Sequence, residues 1–123
     1  MRAATVLLVE DLADLRDLLR RLLLSRGYQV VCASNAEEAL KLAATEPIDI
    51  LLTDWQLPGM NGRDLAVKLL EAQPDLRILL TSGQIETQNE DLSWLKSQGL
   101  YLTKPYDFDV MFDALSRLSG KAV

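Results

Sequence analysis

The chain has 123 residues, 49% of them hydrophobic and 25% charged, which is the composition of one globular domain and excludes a disordered chain. A net charge of −5 without a basic stripe argues against a nucleic-acid surface, and no apolar stretch approaches the roughly 20 residues of a membrane helix. Cys32 is the only cysteine, which excludes an internal disulfide and a cysteine-based metal cluster and fits a reducing cytoplasm; the apolar opening stops at Glu10-Asp11 without a signal-peptide cleavage site.

Thr5–Val9 is a β-branched and leucine run that predicts a buried strand, ending at the acidic pair Glu10-Asp11. Leu12, Leu15, Leu19, Leu22 and Leu23 then recur at helical spacing among Asp14, Arg16, Asp17, Arg20 and Arg21, and Gly27 suits the C′ position that closes the helix. A second strand is predicted over 28–33. Ser34 or Asn35 can cap the next helix, Glu37 or Glu38 can complete a capping box, and Ala36, Ala39, Leu40 and Ala43 supply its inner face before Pro47.

The third strand is predicted over 48–53, with Asp54 where it stops and Pro58, Gly59, Asn61 and Gly62 breaking regular structure beyond it. A third helix starts near Gly62 with Leu65, Ala66, Leu69 and Leu70 inward, and Pro74 stops it. Residues 76–81 form a fourth strand. Thr87 to Glu90 resembles a capping box, and with Leu92, Trp94 and Leu95 it predicts a weak fourth helix. Residues 100–103 form a fifth strand, and Phe108, Met111, Phe112, Leu115 and Leu118 mark a terminal helix.

Strand and helix thus alternate five times with short connections, which implies a parallel sheet covered on both faces and joined by right-handed crossovers. The expected fold is a flavodoxin-like (βα)5 three-layer α/β sandwich, its five-stranded sheet in the order 2-1-3-4-5. Residues 1–123 make one domain with a core over about 5–118.

Strands one and three are neighbours in that order, so Glu10, Asp11 and Asp54 converge at the carboxyl edge of the sheet, where open α/β folds bind ligands. Taken alone, an aspartate near Pro and Gly is more often a turn or cap residue. Three close carboxylates repel, and a hard divalent cation such as Mg2+ relieves that repulsion with oxygen ligands. Ser82 and Lys104 follow strands four and five at the same edge. Carboxylates for a metal, one carboxylate to accept a group, and an ammonium and a hydroxyl to grip its oxygens make a minimal phosphoryl-transfer site, with Asp54 the nucleophile.

Glu10-Asp11, Asp54 with the following Trp-Gln-Leu-Pro-Gly-Met-Asn-Gly, Ser82-Gly83 and Lys104-Pro105 resemble the receiver domain of bacterial two-component response regulators, over essentially the whole chain. The resemblance implies that Glu10, Asp11, Asp54 and the backbone carbonyl of Gln56 hold Mg2+, and that Asp54 takes a phosphoryl group from a histidine kinase or histidine phosphotransfer protein. It implies that Lys104 contacts the phosphoryl group, that its bond to Pro105 is often cis, and that Ser82 and Tyr101 are the switch pair. Thr81 and Ser82 both carry a hydroxyl, on opposite faces of the strand. The family pattern of a small residue after the hydroxyl favours Ser82. Trp55, Gln56 and Gln84 lie where the family tunes phosphoryl lifetime.

The function expected from this resemblance is a phosphorylation-controlled switch that changes an output face over residues 87–118, not an enzyme with a turned-over substrate. Its output is expected through another protein or domain, with no direct nucleic-acid or membrane contact, as a monomer or an activation-linked dimer. A phosphorylation-independent scaffold on the same fold is the alternative, and the intact acidic pocket and lysine count against it. A hydrolase working through an aspartyl phosphate would commonly carry a second aspartate two residues after the nucleophile, where Gln56 stands.

Overall fold

The computed structural model describes residues 3–83, 99–105 and 107–119. Five strands, β1(Thr5–Val9), β2(Gln29–Ala33), β3(Ile50–Asp54), β4(Arg77–Ser82) and β5(Gly99–Thr103), form one parallel sheet in the order β2-β1-β3-β4-β5. The described helices are α1(Ala13–Ser25), α2(Ala36–Thr45), α3(Gly62–Ala72) and α4(Phe108–Leu118). This is the flavodoxin-like α/β architecture that the alternating pattern predicts. The expected helix over 87–95, with Trp94, and Gln84 lie outside the described residues. No described helix is long and apolar enough to cross a membrane.

The sheet divides the core into two layers because successive side chains on a strand point to opposite faces. Leu7, Val9, Leu51, Ile78 and Leu80 pack with Ala36, Ala39, Ala43, Leu65, Ala66 and Leu69 of α2 and α3. Val6, Leu8, Ile50, Leu52 and Leu79 pack with Leu19 and Leu23 of α1 and with Met111, Phe112 and Leu115 of α4. Burial on both faces explains why these strands read as continuous apolar runs rather than alternating ones.

Helix ends follow local chemistry. The Asn35 side chain accepts the Glu38 N–H at 2.8 Å, and Glu38 Oε1 accepts the Ser34 N–H at 2.8 Å, so Asn35 is the cap and Glu38 its reciprocal partner. Gly27 has φ +91°, the left-handed conformation that closes α1. Asn61 and Asp107 cap α3 and α4 through the N–H groups of Asp64 and Val110.

Several boundaries differ from the sequence expectation by one or two residues. β3 and β4 end one residue later, so Asp54 and Ser82 belong to their strands, while Tyr28 and Ile48 are buried just outside β2 and β3. Leu12 and Phe108, expected on inner helix faces, are 61% and 39% exposed. Leu12 is the N-cap of α1, outside its helical turns, and Phe108 is the first residue of α4, at the end of its buried stripe.

Candidate functional site

β1, β3, β4 and β5 deliver the expected residues to one edge. The register pairs Val9 with Thr53, Asp54 with Thr81, and Ser82 with Thr103. Alternation then places Asp54 above Leu52 and Glu10 above Leu8, on the sheet face that α1 and α4 cover. Lys104, just past β5, reaches across so that its Nζ lies 2.8 Å from Asp54 Oδ2; the aspartate side chain is 14% exposed and the lysine 37%.

Glu10 is 5% exposed. Its Oε2 accepts the Leu12 N–H at 3.1 Å, and its backbone carbonyl accepts a hydrogen bond from Arg16 Nη1 at 2.8 Å. Burial pushes the Glu10 carboxyl above its ordinary pKa; hydrogen bonding with Asp11 and the charge of Asp54 push the same way, while the Leu12 N–H and the Lys104 ammonium oppose them. Asp11 itself is exposed.

The turn after Asp54 is pinned at both ends. The Trp55 N–H donates to the Thr81 carbonyl at 2.7 Å, and the Gly62 N–H donates to the Trp55 carbonyl at 2.7 Å. Any Cβ at Gly62 would collide with the Asp54 carbonyl and lie 3.2 Å from Thr53 Oγ1, so this close approach demands glycine. Between the pins Gly59 takes φ +78°. Trp55 is buried in the α2/α3 layer, and Gln56 is exposed. The result is a cleft of about 730 Å³ with Glu10, Asp11, Asp54, Gln56, Asn61 and Lys104 as polar lining and Leu12, Leu15, Trp55, Leu57 and Pro58 as apolar wall.

Five of the expected residues, Glu10, Asp11, Asp54, Gln56 and Lys104, therefore share one cleft. Ser82 and Tyr101 sit together elsewhere. Alternation puts them on the opposite sheet face from Asp54, where fully buried Ser82 Oγ donates to the Gly83 carbonyl at 3.0 Å and Tyr101 Oη lies 3.4 Å from the carbonyls of Ser82 and Gly83. The Lys104–Pro105 bond is cis.

The donors around Asp54 are all hard oxygens, which suits Mg2+ and not a soft transition metal. In this conformation Glu10 is turned to the Leu12 N–H and Asp54 to Lys104, and among the described residues no three acidic side chains close around one point. Sequence reasoning missed Arg16, which sits among alternating acidic and basic residues and reads as part of a solvated face. It also missed the close approach of Gly62, which looks like a helix start.

Residues 6–116 match the family described as response regulator receiver domain. The response regulator FleR of Pseudomonas aeruginosa is 32% identical over 115 residues, a match covering 94% of this chain and 24% of FleR, so the chain spans about a quarter of that relative. Sporulation initiation phosphotransferase F of Bacillus subtilis is 27% identical over 112 residues, covering 91% of this chain and 90% of that protein. Among solved structures, the response regulator TrrA of Thermotoga maritima in complex with Mg(2+)-BeF superposes with a TM-score of 0.81 at 29% identity, covering 94% of this chain and 98% of TrrA. The chemotaxis response regulator CheY4 of Vibrio cholerae has a TM-score of 0.80 at 26% identity, covering 95% and 99%. With its sheet order, its acidic strand ends and a family match over nearly its whole length, this chain belongs to the response regulator receiver domains of two-component signalling.

Proposed function

We propose that Asp54 accepts a phosphoryl group from the phosphohistidine of a histidine kinase or a histidine phosphotransfer protein. The observation that carries this reading is the 2.8 Å contact of Lys104 Nζ with Asp54 Oδ2 beside the buried Glu10 carboxyl. With Oδ2 held by the ammonium, Oδ1 is the oxygen that attacks phosphorus. The O–P bond forms as the P–N bond of the phosphohistidine breaks, and the departing imidazole takes up a proton.

Glu10, Asp11, Asp54 and the Gln56 carbonyl are the residues that would hold Mg2+, whose charge offsets that of the phosphoryl oxygens when bound. TrrA, the relative with Mg(2+)-BeF, supports this ligand chemistry. Lys104 contributes a second positive charge from the protein side. In this reading Ser82 Oγ leaves the Gly83 carbonyl to engage the phosphoryl group, Tyr101 follows, and the surface over residues 87–118 changes for a downstream protein or domain. The domain assists its own phosphorylation and dephosphorylation and works in the cytoplasm, where its donors are found.

The test is an acid-quenched intact mass after incubation with acetyl phosphate, with and without Mg2+, on the wild type and Asp54→Asn. One phosphoryl increment that needs both Mg2+ and Asp54 is expected. Absence of any increment at all early times, together with partner binding unchanged in Asp11→Asn, would overturn this reading in favour of a phosphate-independent interaction domain.

A further inference from the structure

Thr81 stands directly opposite Asp54 in the β3–β4 register. Alternation places it on the face of Leu79, as Asp54 is on the face of Leu52 and Glu10 on that of Leu8. Three polar residues therefore lie side by side on three adjacent strands, above a layer of leucines. A space of about 10 Å³ lies here, with Glu10, Asp54 and Thr81 in its lining beside Thr53 and apolar residues of β1, β3 and α1.

Thr81 is 4% exposed, and among the described residues its hydroxyl has no hydrogen-bond partner. The contrast with its neighbours is direct: Thr53 Oγ1 donates to the Asp54 carbonyl at 3.0 Å, and Ser82 Oγ to the Gly83 carbonyl at 3.0 Å. Thr81 Oγ1 is not a sealed, unpaired atom, so the hydroxyl borders that space, and packing alone at this position would be served as well by valine. The space beside Thr81 matches the roughly 10–15 Å³ that one water needs, and its polar lining matches the two to four partners such a water requires.

We propose that Thr81 is a positioning residue of the phosphoacceptor site, its hydroxyl holding one water between the Glu10 and Asp54 carboxylates. The valences close: the water accepts from Thr81 Oγ–H and donates one hydrogen to each carboxylate, which also eases their repulsion. Asp54 is then fixed by Lys104 Nζ on one oxygen and by the water, and its orientation toward an incoming phosphorus is set before the donor arrives. The proposal rests on Asp54 being the phosphoacceptor.

The experiment follows acetyl phosphate labelling by intact mass in the wild type, Thr81→Val and Thr81→Ser, across donor and Mg2+ concentrations, alongside high-resolution crystal structures of the wild type and Thr81→Val. Loss of one net hydrogen bond predicts a maximal rate lower by about fivefold in Thr81→Val. At saturating Mg2+ the half-saturating concentration of donor stays where it was, and Thr81→Ser returns the rate close to wild type. The wild-type crystal shows an ordered water bonded to Thr81 Oγ1 and both carboxylates, absent in Thr81→Val. Equal rates in Thr81→Val and wild type, a loss that serine does not restore, or a wild-type crystal without this water overturns the proposal and leaves the phosphoacceptor reading standing. A wild type that takes no phosphoryl group overturns both.

Discussion

Lys104 Nζ meets Asp54 Oδ2 at 2.8 Å, joining the end of β5 to the end of β3 across the intervening β4. The lysine side chain is more than a third exposed, so water screens the pair and its contribution to stability is small. On the proposed reading its value is in placing a positive charge where phosphoryl oxygens would collect. Lys104→Ala is expected to lower the maximal rate of Asp54 phosphorylation by about 10- to 100-fold, the worth of one hydrogen bond to a charged group, while the melting temperature barely moves. Intact-mass time courses and thermal melts on the same samples check both halves.

Gly62 is confined by backbone, not by a side chain that can step aside. Its Cβ would meet the Asp54 carbonyl, and the Trp55 carbonyl already receives the Gly62 N–H. Gly62→Ala is expected to destabilise the domain by about 1–3 kcal/mol, as overpacking does at sites that cannot relax. Urea denaturation reads the change. A variant as stable as wild type would show that the β3–α3 turn yields.

Glu10 makes stability depend on pH in a definite direction. Its carboxyl is raised above 4.5, chiefly by burial, so the folded protein holds this proton more tightly than the unfolded chain does. Below 4.5 both states are protonated and the group contributes nothing; as pH climbs above that value the unfolded chain ionises first and the folded state loses stability. In metal-free buffer Glu10→Gln should therefore melt higher than wild type near neutral pH, the gap closing as pH falls toward 4.5. Melts across that range in chelator test it, and a gap that widens on acidification would refute it.

Arg16 fastens the Glu10 carbonyl at 2.8 Å and so holds the loop that carries the acidic pair. Partners that orient metal ligands typically change metal affinity when removed. Arg16→Met is expected to raise the Mg2+ concentration that half-saturates phosphorylation by about tenfold, with the maximal rate at saturating Mg2+ preserved. Titration of Mg2+ in the labelling assay separates the two.

Much of the site was readable because parallel α/β topology sends every strand's carboxyl end to one edge. Asp54 and Lys104 are 50 residues apart in the chain, yet both follow apolar runs, and that alone brought them to the same cleft. Trp55 was only half legible: it lines the Asp54 cleft, as its place beside the aspartate suggests, yet its side chain is also buried in the α2/α3 layer. Leu12 and Phe108 erred the other way: spacing puts both on inner faces, but they stand at the very ends of α1 and α4 and are exposed.

The sequence by itself determined the alternation of strands and helices, the sheet order it implies and which residues end the strands, since burial on two faces needs unbroken apolar runs and turns need Gly, Pro and Asn. Only the tertiary structure decided the register that sets Thr81 beside Asp54, the tether from Arg16 to Glu10, the glycine-only contact at Gly62 and the pairing of Ser82 with Tyr101 on the far face. The physical reason is that these depend on strand register and on contacts between distant segments. A shift of one residue in register would exchange the two faces of a strand without altering its composition.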